Sequence, residues 1–104
     1  MNKNLTLEEV KNIVESVFKL YIDKKTRKTG YVIARSVYYY CAKSFCVGES
    51  LESIGKVLDK DHSTVHWGIG GLDEKIKGKE YYIKLFRKCI SKCEVKIRIK
   101  KTGS

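Results

Sequence analysis

Apolar residues recur three and four positions apart through most of the chain, so the pattern predicts helices and little or no sheet. No proline interrupts it. The first stripe is Val10, Ile13, Val14, Val17 and Tyr21. Ahead of it stand Thr6 and Glu9 at capping-box spacing, with Leu5 and Val10 at the staple positions. That helix is expected to end near Asp23. A second should run from about Tyr31 to Phe45, with Ile33, Val37, Tyr40, Cys41 and Phe45 on one side. Successive helical side chains point about 100° apart, so at least one of Tyr38, Tyr39 and Tyr40 should be partly exposed.

The pattern breaks at Gly48-Glu49-Ser50 and restarts with Ser50 as N-cap of a short helix that buries Leu51, Ile54 and Leu58. Asp59-Lys60 interrupts again. From Asp61 one longer helix is expected, with Val65, Ile69, Leu72 and Ile76 inward. A short helix, a tight turn and a longer helix make a helix-turn-helix. After Gly78 a last helix places Tyr82, Leu85, Phe86, Cys89, Ile90 and Cys93 inward. The expectation is therefore an all-α domain of four to five helices over 1–94, with 95–104 as a basic, frayed tail lacking any partner strand.

Charge changes the picture. Twenty-two Lys and Arg against 12 Asp and Glu leave a formal +10, which calls for a polyanionic partner. Lys24-Lys25-Thr26-Arg27-Lys28 concentrates cations before Gly30, and their mutual repulsion predicts an exposed loop suited to phosphate or minor-groove contact. No segment approaches the roughly 18 apolar residues of a membrane span. Met1-Asn2-Lys3-Asn4 also lacks the apolar run of a secretion signal, so the expected location is the cytoplasm. In that reducing compartment Cys41, Cys46, Cys89 and Cys93 read as buried thiols. Their spacing does not match paired zinc motifs, and neither a metal nor a cofactor is expected.

The candidate chemistry lies between Ser50 and Leu72. The inward positions there are aliphatic, while the outward start of the second helix offers His62, Ser63, Thr64, His66 and Trp67. A helix-turn-helix inserts the first residues of its second helix into the major groove, so polar groups must cluster in that first turn. Ser63 and Thr64 hydroxyls can bond phosphate or base edges, and His62 can donate from either ring nitrogen. Asp61 suits an N-cap, which keeps its carboxylate off the phosphates. Trp67 lies roughly 200° from Val65 around the helix, which places it on a rim or DNA-facing side.

At this segment the chain resembles the DNA-binding C-terminal domain of the bacterial replication initiator DnaA, a Trp-repressor-like helical fold. The residues that carry the resemblance are Ser50-Leu51-x-x-Ile54-Gly55 and Lys60-Asp61-His62-Ser63-Thr64-Val65. It extends upstream to the basic loop at Lys24, Lys25, Arg27 and Lys28, and to Ala34-Arg35, where the family has proline-arginine. It implies Arg27 in the minor groove and Arg35, Asp61, His62, Ser63 and Thr64 facing the major groove; the expected DNA-contact set adds Ser36, Lys60 and Trp67. Departures from the family pattern fall at Ser36, in place of a common glutamine, at Asp59, in place of a glycine, and at Trp67, in place of a histidine.

No Gly-x-x-x-x-Gly-Lys-Ser/Thr loop occurs, so the expected activity is sequence-specific binding of double-stranded DNA in replication or transcription control, without ATPase activity or other catalysis. His62 and His66 could share a zinc ion, but the metalloprotease arrangement needs a glutamate where Ser63 stands. The alternative is a protein-interaction module that modulates a replication initiator through Tyr38, Tyr39 or Trp67. RNA is a weaker partner, because A-form duplexes hide their major-groove edges.

Overall fold

The computed structural model describes residues 5–102; the first four and last two residues lie outside the described set. It contains helices α1 (Leu7–Phe18), α2 (Thr29–Phe45), α3 (Leu51–Lys56), α4 (His62–Gly70), α5 (Leu72–Ile76) and α6 (Glu80–Thr102), with no strand among the described residues.

α1 begins as its sequence dictates. Thr6 Oγ1 accepts the Glu9 N–H at 3.1 Å and Glu9 Oε1 accepts the Thr6 N–H at 2.9 Å, which satisfies two otherwise orphaned donors. Its end comes earlier than the apolar stripe suggests. Lys19 turns left-handed, at φ 59°, and donates its N–H to Glu15 O at 2.8 Å. That turn resets the phase of the chain. Tyr21, expected inward, is 77% exposed, and Ile22 takes the buried place instead.

α2 forms the centre. Its Ile33, Ala34, Val37, Tyr38, Cys41 and Ala42 are buried; α1 and α6 pack on it and on each other, as do α3 and α4. Tyr38 Oη donates to Ile54 O at 2.9 Å and so ties α2 to α3. Tyr38 and Tyr39 both lie in the core and Tyr40 is half-buried, its ring edge-on to Phe86 at 5.1 Å. The partly exposed tyrosine is therefore Tyr40, which the apolar pattern places inward, while Tyr38 and Tyr39 take the core.

The helix expected from Asp61 to Ile76 is broken in two at Gly71, which closes α4 and opens α5. Gly70-Gly71 costs about 1 kcal/mol per residue in helix propensity, and the break lets Leu72 and Ile76 turn into the core. The stretch expected to be a frayed tail is helical as far as Thr102. Ile97 packs against the core, and Lys100 Nζ meets Glu9 Oε1 at 2.9 Å, so α1 supplies the partner that the stretch was expected to lack. The four cysteines are buried, and burial pushes the Cys89 thiol up to about 12, which leaves it protonated and inert as a nucleophile.

Candidate nucleic-acid interface

The basic loop between α1 and α2 is held from beneath. Ile22 is fully buried, and its N–H is accepted by the Glu15 carboxylate at 2.9 Å. Lys11 sits between Glu15 and Asp23, at 3.6 and 3.7 Å. Arg35, nearly two helical turns into α2, turns its guanidinium back onto this loop. Its Nε donates to Ile22 O at 2.8 Å, one terminal nitrogen donates to Thr26 O at 2.9 Å, and the other donates to Lys24 O. One planar fork thus gathers three carbonyls of the same loop.

The loop side chains that remain outward are cationic. Lys24, Lys25, Arg27 and Lys28 are exposed, with the Lys24 ammonium over the Tyr31 ring at 5.9 Å. The loop leads directly into the start of α2, which has no side-chain cap and no acidic residue in its first turn. Open backbone amides and the positive end of the helix dipole therefore add to the four cations, an arrangement that attracts phosphate.

The second part of the surface is the start of α4. The chain leaves α3 through a tight turn in which Gly55 O accepts the N–H of both Leu58 and Lys60 at 2.9 Å, and Asp59 adopts φ 59°. Aspartate tolerates that left-handed conformation better than most side chains, which explains how the turn forms without glycine. Asp61 then caps α4 by accepting the Thr64 N–H at 2.9 Å. His62, Ser63 and Thr64 are exposed on the first turn. Trp67, 72% exposed, follows on the same rim with its ring edge-on to His66 at 5.3 Å.

The Thr64 N–H and hydroxyl hold the Asp61 carboxyl below the usual carboxylate range. A lowered folded-state pKa stabilises the fold above the unfolded value and that contribution is lost as pH falls through the folded one. Asp61→Asn, a neutral cap, is therefore expected to melt below the native protein at pH 7. The gap should narrow as the medium is acidified through the carboxylate's lowered folded-state range, as melting followed by circular dichroism across pH would show. A gap independent of pH would remove the carboxylate from the capping account.

A shallow groove joins the two parts. Val32, Tyr39, Asp61, Thr64 and Trp67 contribute to its lining, and Arg35 and Lys60 line both it and the cleft beneath the loop. The loop and the first turn of α4 therefore form one continuous surface. Two residues differ from the expected contact set. Ser36 is 3% exposed, because Gly68 lets α4 close directly over it and over Tyr39, so it lies at the floor of this groove and presents almost no surface to a bound duplex. Arg35 is committed to loop carbonyls rather than extended toward a groove. Tyr38 and Tyr39, expected anchors of a protein interface, are in the core. Sequence reasoning missed Ile22, Glu15 and Gly68. A glycine in a helix burying Val65 was the one available signal for a close helix approach.

A tight α3–turn–α4 unit with a polar, exposed start to its second helix, set beside a cationic loop, defines a helix-turn-helix of the DNA-binding class. The model for the bacterial dnaA protein helix-turn-helix matches residues 7–70, well over half of the chain, and the chain belongs to that family. Neither the curated proteins nor the solved structures contain a match to it. Among the described residues no helix is long and apolar enough to cross a membrane, and no three potential metal ligands cluster.

Proposed function

We propose that this domain binds double-stranded DNA sequence-specifically, reading the major groove with the first turn of α4 while the loop over 24–28 grips the adjacent minor groove or backbone. The observation that carries the reading is the continuity of the two parts across Arg35 and Lys60. Ser63 and Thr64 offer hydroxyls, His62 a ring N–H, and Asp61, while capping, keeps a second carboxylate oxygen that can accept from cytosine N4. Arg27 is the loop's groove-entering residue, and Lys24, Lys25, Lys28 and Lys60 neutralise phosphates. Trp67 borders the reading turn and packs against the sugar-phosphate edge. Arg35 acts as a positioning residue. In this role the domain is a regulator of replication or transcription that works in the cytoplasm by binding alone, with no ATP chemistry of its own.

The test is selection of bound duplexes from a random pool at about 0.15 M salt, comparing the native protein with a His62→Ala/Thr64→Ala variant. An enriched motif that disappears in the variant is the expected result. With about five phosphates neutralised, log affinity should fall against log salt with a slope of about −4 to −5. The 72% exposure of Trp67 favours one second reading, in which this rim docks a replication protein. Absence of any motif, with binding untouched by the double variant, would favour that reading over the first.

A further inference from the structure

The family match ends at residue 70, and the helix beyond it carries a charge pattern that the surface described above does not use. α6 holds eight Lys and Arg against two Glu. Lysine recurs at every fourth position, at Lys84, Lys88, Lys92, Lys96 and Lys100. Residues four apart are neighbours on a helix, where an acid usually alternates with a base and like charges destabilise. Lys100 has Glu9 opposite it at 2.9 Å. Among the described residues no ion pair serves Lys84, Arg87, Lys88 or Lys92, all of which are exposed. The helix keeps a repulsive ladder that a polyanion would relieve.

Orientation makes the ladder a separate surface. α6 turns Cys89 and Cys93 into the core and sets Phe86 against Tyr40 of α2. α4 packs instead on Tyr39, where Gly68 lets it approach, and Tyr39 and Tyr40 point about 100° apart on α2. α6 and α4 thus cover different faces of α2, and the exposed cations of α6, on the side away from its buried cysteines, are set apart from the first turn of α4.

We propose that the solvent face of α6 around Lys84, Arg87, Lys88 and Lys92 binds the backbone of a second duplex segment, so that one molecule holds two segments of DNA together. Lys84 to Lys92 covers about 12 Å of helix, a length over which a duplex presents about seven phosphates. An anionic membrane fits less well. A helix that lies on lipid needs its apolar face free, and most of the apolar face of α6 is spent on the core, leaving only Val95 and Ile99 exposed among its large apolar side chains other than Tyr81.

The proposal rests on α4 and the loop taking the first duplex, and the test separates the two. Donor-labelled and acceptor-labelled 20-base-pair duplexes are mixed with the full chain, and energy transfer is read beside single-duplex anisotropy. The native protein should give energy transfer, strongest near one protein per two duplexes. A Lys84→Gln/Lys88→Gln/Lys92→Gln variant, which keeps helix-forming side chains, should lose transfer at least tenfold. It should bind a single duplex with its preferred motif intact and melt no lower than the native protein, because repulsion has been removed. Neutralising about four further phosphates should make bridging roughly a hundredfold weaker between 50 and 200 mM salt. Single-duplex binding without transfer at any ratio would overturn the proposal, as would transfer that the triple variant leaves unchanged. Binding of phosphatidylglycerol vesicles that depends on these lysines, with no bridging, would overturn it in favour of a membrane. A native protein that fails to bind even one duplex would instead overturn the reading of α4, and bridging with it.

Discussion

Replacing Arg35 with alanine is expected to weaken binding to every duplex by about 2 to 3 kcal/mol while leaving the preferred sequence unchanged. The guanidinium is bonded to the carbonyls of Ile22, Lys24 and Thr26, so its loss frees the loop that carries Lys24, Lys25, Arg27 and Lys28. Fixing one residue of backbone costs about 1 kcal/mol or more, and in the native protein that cost is met on folding. Without the clamp, a few residues must be ordered on DNA instead, and affinity falls by that amount. The phosphates contacted are the same, so the salt slope should not change.

Arg35→Lys separates charge from geometry. Lysine retains the cation but presents a single nitrogen, which cannot serve three carbonyls spread over the loop. It should therefore recover only a minor part of the lost affinity. Titrations on cognate and scrambled duplexes, with amide exchange at Thr26, whose N–H bonds Lys24 O at 3.0 Å, report the two sides of the effect. Exchange at Thr26 should accelerate in both variants, and the ratio of cognate to scrambled affinity should hold. A loss confined to the cognate duplex, with the Thr26 amide still protected, would return Arg35 to the role of base reader.

The parts of this fold that were legible in the sequence are those decided within one helical turn. Thr6 with Glu9, Ser50 with Ser53, and Asp61 with Thr64 each satisfy a backbone donor three residues on, and a short polar side chain ahead of an apolar run signals that geometry directly. The first turn of α4 was readable for the same reason. What depends on a change of direction was not. A left-handed residue at Lys19 exchanged Tyr21 for Ile22 in the core, and periodicity carries no record of such a reset. Arg35 finds its carbonyls 9 to 13 residues back, and Lys100 finds Glu9 at a separation of 91. Ser36 lies on α2 within reach of an outward position, and only the closeness of α4 at Gly68 buries it.

That closeness recurs within the motif, and Gly55→Ala is expected to destabilise the protein by about 2 to 3 kcal/mol, lowering Tm by about 10 to 20 °C. A Cβ at Gly55 would stand 2.5 Å from Lys60 O, 2.8 Å from Val65 Cγ2 and 3.2 Å from Asp61 O. Two of those neighbours are backbone of the turn itself, so no rotamer change can make room. Alanine gains about 1 kcal/mol of helix propensity over glycine, which the displaced turn outweighs. The same displacement would move Asp61, and with it the first turn of α4, so DNA affinity should fall even below the melting range. Gly70→Ala supplies the contrast within the same motif. Nothing lies within 4 Å of its Cβ position, and the substitution should be neutral or stabilise by about 0.5 to 1 kcal/mol. Equal melting temperatures for the two variants would mean that the α3–α4 turn has slack, and the rigid presentation of His62, Ser63 and Thr64 would lose its structural basis.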